Sequence, residues 1–239
     1  MLDVREIARG IYRVALGEEQ DLIQGGLLWP GVTLNLFVIQ AEKPCIIQTG
    51  LRRAFARLRD RVREVVEPMK LRYIVVPHHE GDSSGALNEW EALAPQAEVL
   101  CSDLCASLNL RDFSDREPRV VKDGEVVDLG THRLRFLITP QVNQWDSLML
   151  FEETTGTLFP NDLFSSLGLE AVTSEDTSQV ALEAARQLGY QPNDPSAVGH
   201  ALDKIAGLPV KVLATMHGPT VIGHFDKLVR TFRDNSLTA

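Results

Sequence analysis

A chain of 239 residues with a formal net charge of −9 is long enough to bury a substantial core, and its acidity argues against a nucleic-acid-binding surface. Its hydrophobic fraction of 44% and charged fraction of 24% are those of an ordinary water-soluble globular protein. No apolar run approaches a membrane span, and "MLDVREIARG" lacks the charged-then-apolar build of a secretory signal, so a cytoplasmic location is expected.

The first elements read as strands: residues 11–16, "IYRVAL", then 32–40, which alternate well from Val32 to Ile39, then the short run in "KPCIIQTG". From Leu51 to Met69 the spacing becomes helical. Leu51, Phe55, Leu58, Val62, Val65 and Val66 form one apolar face, with arginines over the others read as a solvated surface. Tyr73 to Val76 is a β-branched strand stopped by Pro77. Beyond it, "HHEGDSSGAL" leads into a helix opening at Ser83-Ser84-Gly85 and running through Leu87, Trp90 and Leu93, and "AEVLCS" is a further strand. Cys101 and Cys105 lie four apart, a spacing that fits one side of a helix; they read as buried reduced thiols, with a metal or redox pair as the alternative.

The second half begins with two short β runs separated by Asp123-Gly124, a hairpin-type turn, and another turn at Gly130. "SLMLFEETTGTLFPND" has a hairpin pattern turning at Thr154 to Gly156. Residues 178–189 and 197–207 read as helices, "VKVLATMHG" as a strand ending at a histidine, and the C-terminal stretch as starting helical. There is no low-complexity segment, linker or fixed-period repeat. Strand-rich segments and helices occur twice in similar order. That predicts an α+β fold of two sheets covered by helices on their outer faces, as a single domain over residues 1–239.

Three strands end at polar loops: "VPHHEGD" at 76–82, "LFPND" at 158–162 and "ATMHG" at 214–218. Each loop carries a residue able to bind a metal, and His78, Glu80 and Asp82 stand on alternate positions of the first. Strand ends on one edge of a layered domain can converge in space although far apart in sequence. A shared metal site is the expectation; an acidic hydrated loop is the bland alternative.

Together these segments resemble the metallo-β-lactamase fold, an αββα four-layer sandwich, and within it the diiron domain of flavodiiron proteins and the related standalone oxygen-binding diiron proteins. The likeness covers nearly the whole chain. It rests on "PGVTLNLFVI", on "YIVVPHHEGDSSGAL" at the family's H-x-E-x-D-H-S-G-S-L loop, and on "GEVVDLGTHRLRFLITPQVNQWDSLM", where the family runs T-P-x-L-H-W-P-D-S-M. "LFPNDLFSS" falls at the family's S-N-D-A-F and "MHGPT" at its final H-G. Carried across residue by residue, the resemblance implies metal ligation by His78, Glu80, Asp82 and His217, with Asp162 as the carboxylate bridging two metals. It groups His78, Glu80 and Asp162 on one metal and Asp82, Asp162 and His217 on the other. Glu80 stands where zinc hydrolases of the fold usually have histidine, which favours iron or manganese over zinc; the resemblance implies two iron ions, with manganese, zinc, a single metal or none as the alternatives.

Two positions depart from the pattern. Ser83 stands where the family has a ligand histidine directly after the motif aspartate, and Asn143 where it has the next one. Both are weak substitute ligands, so each metal loses an imidazole. Gln48 replaces an aspartate that in the superfamily helps order the ligand loop. His79 falls on a motif position without a ligand, and Trp145 belongs either to the pocket wall or to the core. His132, in a turn region, and His200 and His224, on expected helices, read as structural or exposed.

The function implied by the resemblance is a non-haem diiron protein that binds or reduces O2 or NO, an oxidoreductase if it turns over. No flavodoxin-like domain is read in the 239 residues, so a reductase would draw electrons from a separate donor; a homodimer is also implied. The runner-up is a metal-dependent hydrolase with Asp82 or Asp162 as orienting base, against which Glu80 and the lost imidazoles count. The third reading is a metal-free sensory or interaction module keeping the fold. No nucleic-acid or membrane partner is expected.

Overall fold

Successive side chains of a strand point to opposite faces, so the alternation along each strand decides which layer it packs against. The computed structural model describes residues 4–17, 19–168, 173–174, 177–188 and 194–236. The first sheet runs β1 (Val4–Ala8), β2 (Ile11–Leu16), β3 (Leu34–Ile39), β4 (Cys45–Ile47), β5 (Tyr73–Val75), β6 (Glu98–Cys101), β7 (Arg119–Val120) from edge to edge. Pairing is antiparallel from β1 to β4 and parallel from β4 to β7. The second sheet, in spatial order, is β12 (Thr173–Ser174), β14 (Thr220–Ile222), β13 (Val212–Leu213), β11 (Thr157–Phe159), β10 (Leu148–Glu152), β9 (Arg133–Ile138), β8 (Val126–Asp128).

Phe37, Ile39, Ile47, Val75 and Leu100 of the first sheet share one buried cluster with Leu134, Phe136, Leu148, Leu150 and Phe159 of the second. Phe37 meets Phe159 edge to face, with ring centroids 5.2 Å apart. The alternate residues Leu36, Val38, Ile46 and Ile74 pack under helices Phe55–Val65 and Leu87–Leu93, where Leu58, Val62 and Trp90 meet them. On the other outer face, Leu137, Met149, Phe151 and Leu213 pack under helices Thr177–Leu188, Pro195–Ile205 and Phe225–Ser236. Each such buried leucine, valine or phenylalanine contributes about 1.5–3 kcal/mol, so three stacked apolar interfaces hold four layers together. The result is the expected α+β, αββα sandwich.

Several local readings change. Asp123-Gly124 does not close a hairpin: β7 pairs with β6 in the first sheet and β8 with β9 in the second, so the turn carries the chain between sheets. The Asp123 carboxylate is taken up by the Ile138 N–H at 2.8 Å and by Lys204 Nζ at 2.7 Å, contacts that only the packed second sheet provides. Cys101 closes β6 while Cys105 lies in the helical turn after it, so they share no helix face; both are buried and free. The helix after the ligand loop starts at Leu87, not at Ser83, because residues 81–86 are turns packed so tightly that a Cβ on Gly85 would collide with the Gly81 carbonyl oxygen. His224 is exposed and at φ +46, just ahead of helix Phe225–Ser236. The helix expected over 178–189 is Thr177–Leu188, with residue 189 outside the described residues, and the strand before His217 shortens to Val212–Leu213. Among the described residues no helix is long and apolar enough to cross a membrane.

Candidate metal centre

The loops after β5, β11 and β13 meet at one edge of the sandwich. Pro77 helps to bring the first one there: its carbonyl accepts from the Leu148 N–H at 2.9 Å, tying the end of β5 to β10 across the two sheets. The parallel pairing of β11 with β13 sends Asp162 and His217 out on the same side.

His78 is fully buried, and its ring is fixed at both nitrogens. Nδ1 lies 2.9 Å from Asn161 Oδ1, and Nε2 lies 3.2 Å from Glu80 Oε2. The Asn161 amide nitrogen donates to Ser147 Oγ at 3.3 Å, so its oxygen faces the ring and Nδ1 must be the protonated nitrogen. Nε2 is thereby the nitrogen available to a metal. His217 follows the same logic. Its Nδ1 donates to the Thr33 carbonyl at 2.8 Å, and its Nε2 faces Asp162 Oδ1 at 3.4 Å and Asp82 Oδ2 at 3.5 Å. Histidines that ligate metals are held in this way by an acceptor on the far nitrogen.

Asp162 lies between the two rings. Its Oδ1 faces His217, while Oδ2 is 3.7 Å from His78 Nδ1 and accepts from Asn143 Nδ2 at 2.8 Å. His78, Glu80 and Asp82 each offer a ligand atom, and these lie within 4.8 Å of one another. All five side chains singled out in the sequence therefore come together.

Their charges perturb one another. Burial alone would lower His78, but Asp162, Glu80 and Asp82 outweigh it and push the imidazole up to about 9. His217 behaves alike: Asp162 and Asp82 overcome burial and push it up to about 9. Burial would raise Asp162, yet His78, His217 and Asn143 hold it down at about 2. Burial lifts Asp82 above the ordinary carboxylate range despite His217, whereas the hydrogen bond from His78 lowers Glu80. Three carboxylates thus face two imidazoles, and Asp82 Oδ1 is buried with no hydrogen-bond partner. Such a cluster lacks positive charge, and a bound cation would satisfy the orphaned oxygen while displacing protons from both Nε2 atoms. The donor set of two imidazoles and three carboxylates fits iron or manganese.

The remaining candidates fall into different roles. Asn143, at φ +68, presents its amide nitrogen to Asp162, so it steadies that carboxylate. Ser83 Oγ is buried without a partner, while the Ser83 carbonyl accepts from the Thr49 N–H at 2.8 Å. Gln48 is buried at φ +69, and its backbone N–H donates to the Val75 carbonyl at 2.9 Å. His79 Nδ1 is 2.9 Å from Ser84 Oγ, and its ring packs edge to face on Phe113. Trp145 is 70% exposed, in neither the pocket wall nor the core. Asp146 turns inward to accept the His79 N–H at 2.9 Å, which leaves its neighbour facing out. His132 is buried with its Nδ1 3.2 Å from a Glu152 carboxylate oxygen, and His200 is exposed.

Asn161, Thr33 and Gln144, whose Nε2 lies 3.4 Å from Glu80 Oε2, are among the residues that escaped the sequence reading. Asn161 and Gln144 adjoin Asp162 and Asn143 in sequence, a usable signal; nothing local marks Thr33. A cleft of about 430 Å³ reaches the cluster, with Leu27, Leu28, Val32, Leu34 and Leu51 on its apolar side and Glu80, Asp82 and His217 at its end.

Comparison with known proteins agrees with this architecture. A family model described as ODP family beta lactamase matches residues 32–218. The chain is 31% identical over 200 residues to diflavin flavoprotein A 2 of Synechocystis sp., aligning 81% of this chain with 34% of that protein. It is 28% identical over 196 residues to nitric oxide reductase of Moorella thermoacetica, with 79% of this chain and 49% of the relative covered. The chain thus spans between a third and a half of the length of these relatives. In structure it resembles rubredoxin oxygen:oxidoreductase of Desulfovibrio gigas, with a TM-score of 0.85 at 22% identity over 97% of this chain and 61% of that one, a likeness of fold. Since the match runs through most of the chain and takes in all three loops of the cluster, the chain belongs to the ODP family of β-lactamase-fold proteins, with flavodiiron proteins among its relatives.

Proposed function

We propose that the chain is a non-haem iron protein whose centre holds two ions and binds or reduces O2 or NO. The observation that carries this reading is Asp162, a buried carboxylate set between the two histidines, with Oδ1 3.4 Å from His217 Nε2 and Oδ2 3.7 Å from His78 Nδ1, where one side chain would serve two cations. His78, Glu80 and Asp162 would hold one ion, and Asp82, Asp162 and His217 the other. Iron, when bound, supplies the one-electron chemistry that O2 and NO need. The chain's own residues do the rest. Asn161 and Thr33 aim the two Nε2 atoms, Asn143 steadies Asp162, and Glu80, its side chain 50% exposed, forms the lip of the cleft. The leucine-lined wall suits small apolar gases. Relatives that are named as a nitric oxide reductase and an oxygen oxidoreductase favour the same gases. In this reading residues 1–239 work as one cytoplasmic domain, as a homodimer, and a separate carrier supplies electrons for turnover.

The test is anaerobic loading with Fe(II), elemental analysis, and titration with NO followed by visible absorption and electron paramagnetic resonance. About two irons per chain and a nitrosyl signal saturating with NO are expected. Loading by zinc alone, with no nitrosyl signal, would favour the hydrolase; no metal at all would favour the metal-free module. The two lost imidazoles give a second expectation. Ser83→His combined with Asn143→His should tighten iron binding by about tenfold or more, because imidazole is a far better ligand than hydroxyl or amide. Equal iron retention against a chelator in both proteins would show that neither position limits the site.

A further inference from the structure

We propose that Asn35 is a positioning residue for the His217 half of the centre, a role that rests on the metal-binding reading above. His217 sits in the turn between β13 and β14, in the second sheet, yet the groups that aim it come from the first. Asn35 on β3 is 2% exposed. Its amide nitrogen donates to the Thr215 carbonyl at 2.8 Å and the Gly218 carbonyl at 3.0 Å, and its backbone N–H donates to the Met216 carbonyl at 3.0 Å. One residue therefore grips the turn on both sides of His217. Thr33 completes the grip, with its carbonyl on His217 Nδ1 and its hydroxyl accepting the Gly218 N–H at 2.7 Å. Arg13, buried on the adjoining β2, donates from Nε to Asn35 Oδ1 at 2.8 Å and so fixes which end of the amide faces the turn.

Strand β3 itself does not need this side chain. Phe37 and Ile39, on the same face, feed the apolar core between the sheets, and an apolar residue at position 35 would continue that pattern. The interruption falls where β3 passes the ligand turn. The chemistry also restricts the residue: two donors on one end and an acceptor on the other define an amide, and aspartate would set oxygen against two carbonyls. Gly218, at φ +89, leaves the turn little slack, because a Cβ there would collide with the Ser166 carbonyl oxygen. A buried amide with its bonds satisfied is rigid, and that rigidity passes to the Nε2 that faces Asp82 and Asp162.

The test replaces the polar pair by apolar residues of similar size, Arg13→Met with Asn35→Leu in the full chain, which takes the side-chain donor from the Thr215 and Gly218 carbonyls. Asn35→Asp, which keeps shape and pairs with Arg13, is the second variant should the first fail to fold. Fe(II) is titrated anaerobically by calorimetry, with His217→Ala as reference. The expected result is near-parental binding at the His78 side and binding about 10–100-fold weaker at the His217 side, as for other groups that orient a ligand from behind. Two irons bound with parental affinities would overturn the proposal. A readout independent of metal accompanies it: the His217 Nδ1 proton should exchange slowly in the parent by nitrogen-15 magnetic resonance and rapidly in either variant. Should the parent bind no iron, the function proposed above fails by itself, and that proton alone decides the role of Asn35, its unchanged protection in the variants refuting it.

Discussion

Asp162→Ala is expected to empty both metal positions, while His217→Ala leaves about one metal per chain, on the His78 side. The difference follows from where Asp162 lies. It lies between the two histidines and is shared by both proposed ligand sets, so its loss would reduce each set to two side chains. Removing His217 takes a ligand from one set only. The comparison needs a control for folding, because Asp162 is buried and accepts from Asn143. Asp162→Asn keeps the shape and one acceptor oxygen but removes the charge, and it should behave like alanine in metal content while remaining folded. Metal per chain, measured at one pH for all variants, decides the matter. Equal retention in Asp162→Ala and His217→Ala would eliminate the dinuclear centre, since a single-metal site would register both losses alike.

How far this centre could be read without coordinates depends on the kind of contact involved. His78, Glu80 and Asp82 share one loop, and alternate spacing after an apolar strand marks such a loop in sequence. Asp162 and His217 were legible because each ends its own apolar run, so the edge of the sheets brings them in. Strand alternation likewise showed two faces in β3, where Leu36 and Val38 meet helices while Phe37 and Ile39 meet the other sheet. Asn35, Thr33 and Arg13 carried no such signal. Their partners at 215–218 lie on the second sheet, so their purpose exists only once the sheets are stacked. Asp123-Gly124 misled for a related reason: a turn signal gives local chain reversal, but whether the flanking strands pair is settled by which sheet offers a free edge. The outward Trp145 is the same lesson, since the inward place was taken by Asp146 through the His79 N–H.

In metal-free protein, stability should fall as pH rises from about 6.5 to about 9, while metal affinity rises over the same window. Both imidazoles are pushed up to about 9 in the folded chain, above their ordinary value of 6.5. A raised histidine stabilises the fold fully below its unfolded value, and that contribution disappears as pH climbs through the folded value. Two such groups give a slope on the order of 2–3 kcal/mol per pH unit at its steepest. Asp162, held at about 2 against an ordinary 3.8, acts at the other end: its contribution is present above 3.8 and lost as pH falls through 2. Asp82, raised by burial, opposes Asp162 and shares the direction of the histidines: its charged form is disfavoured in the folded chain, so stability falls as pH rises above the ordinary carboxylate value. Iron competes with protons for the two Nε2 atoms, so loading at pH 7 should release about two protons per chain and become easier at higher pH. Melting temperatures of the apoprotein and the iron-loaded protein should therefore diverge between pH 6.5 and 9, the first falling while the second holds. His78→Gln with His217→Gln should flatten the apoprotein profile. A parent apoprotein whose melting temperature stays level across that window would show that the two histidines are not held protonated by the carboxylates, and the charge deficit that calls for a cation would have to be sought elsewhere.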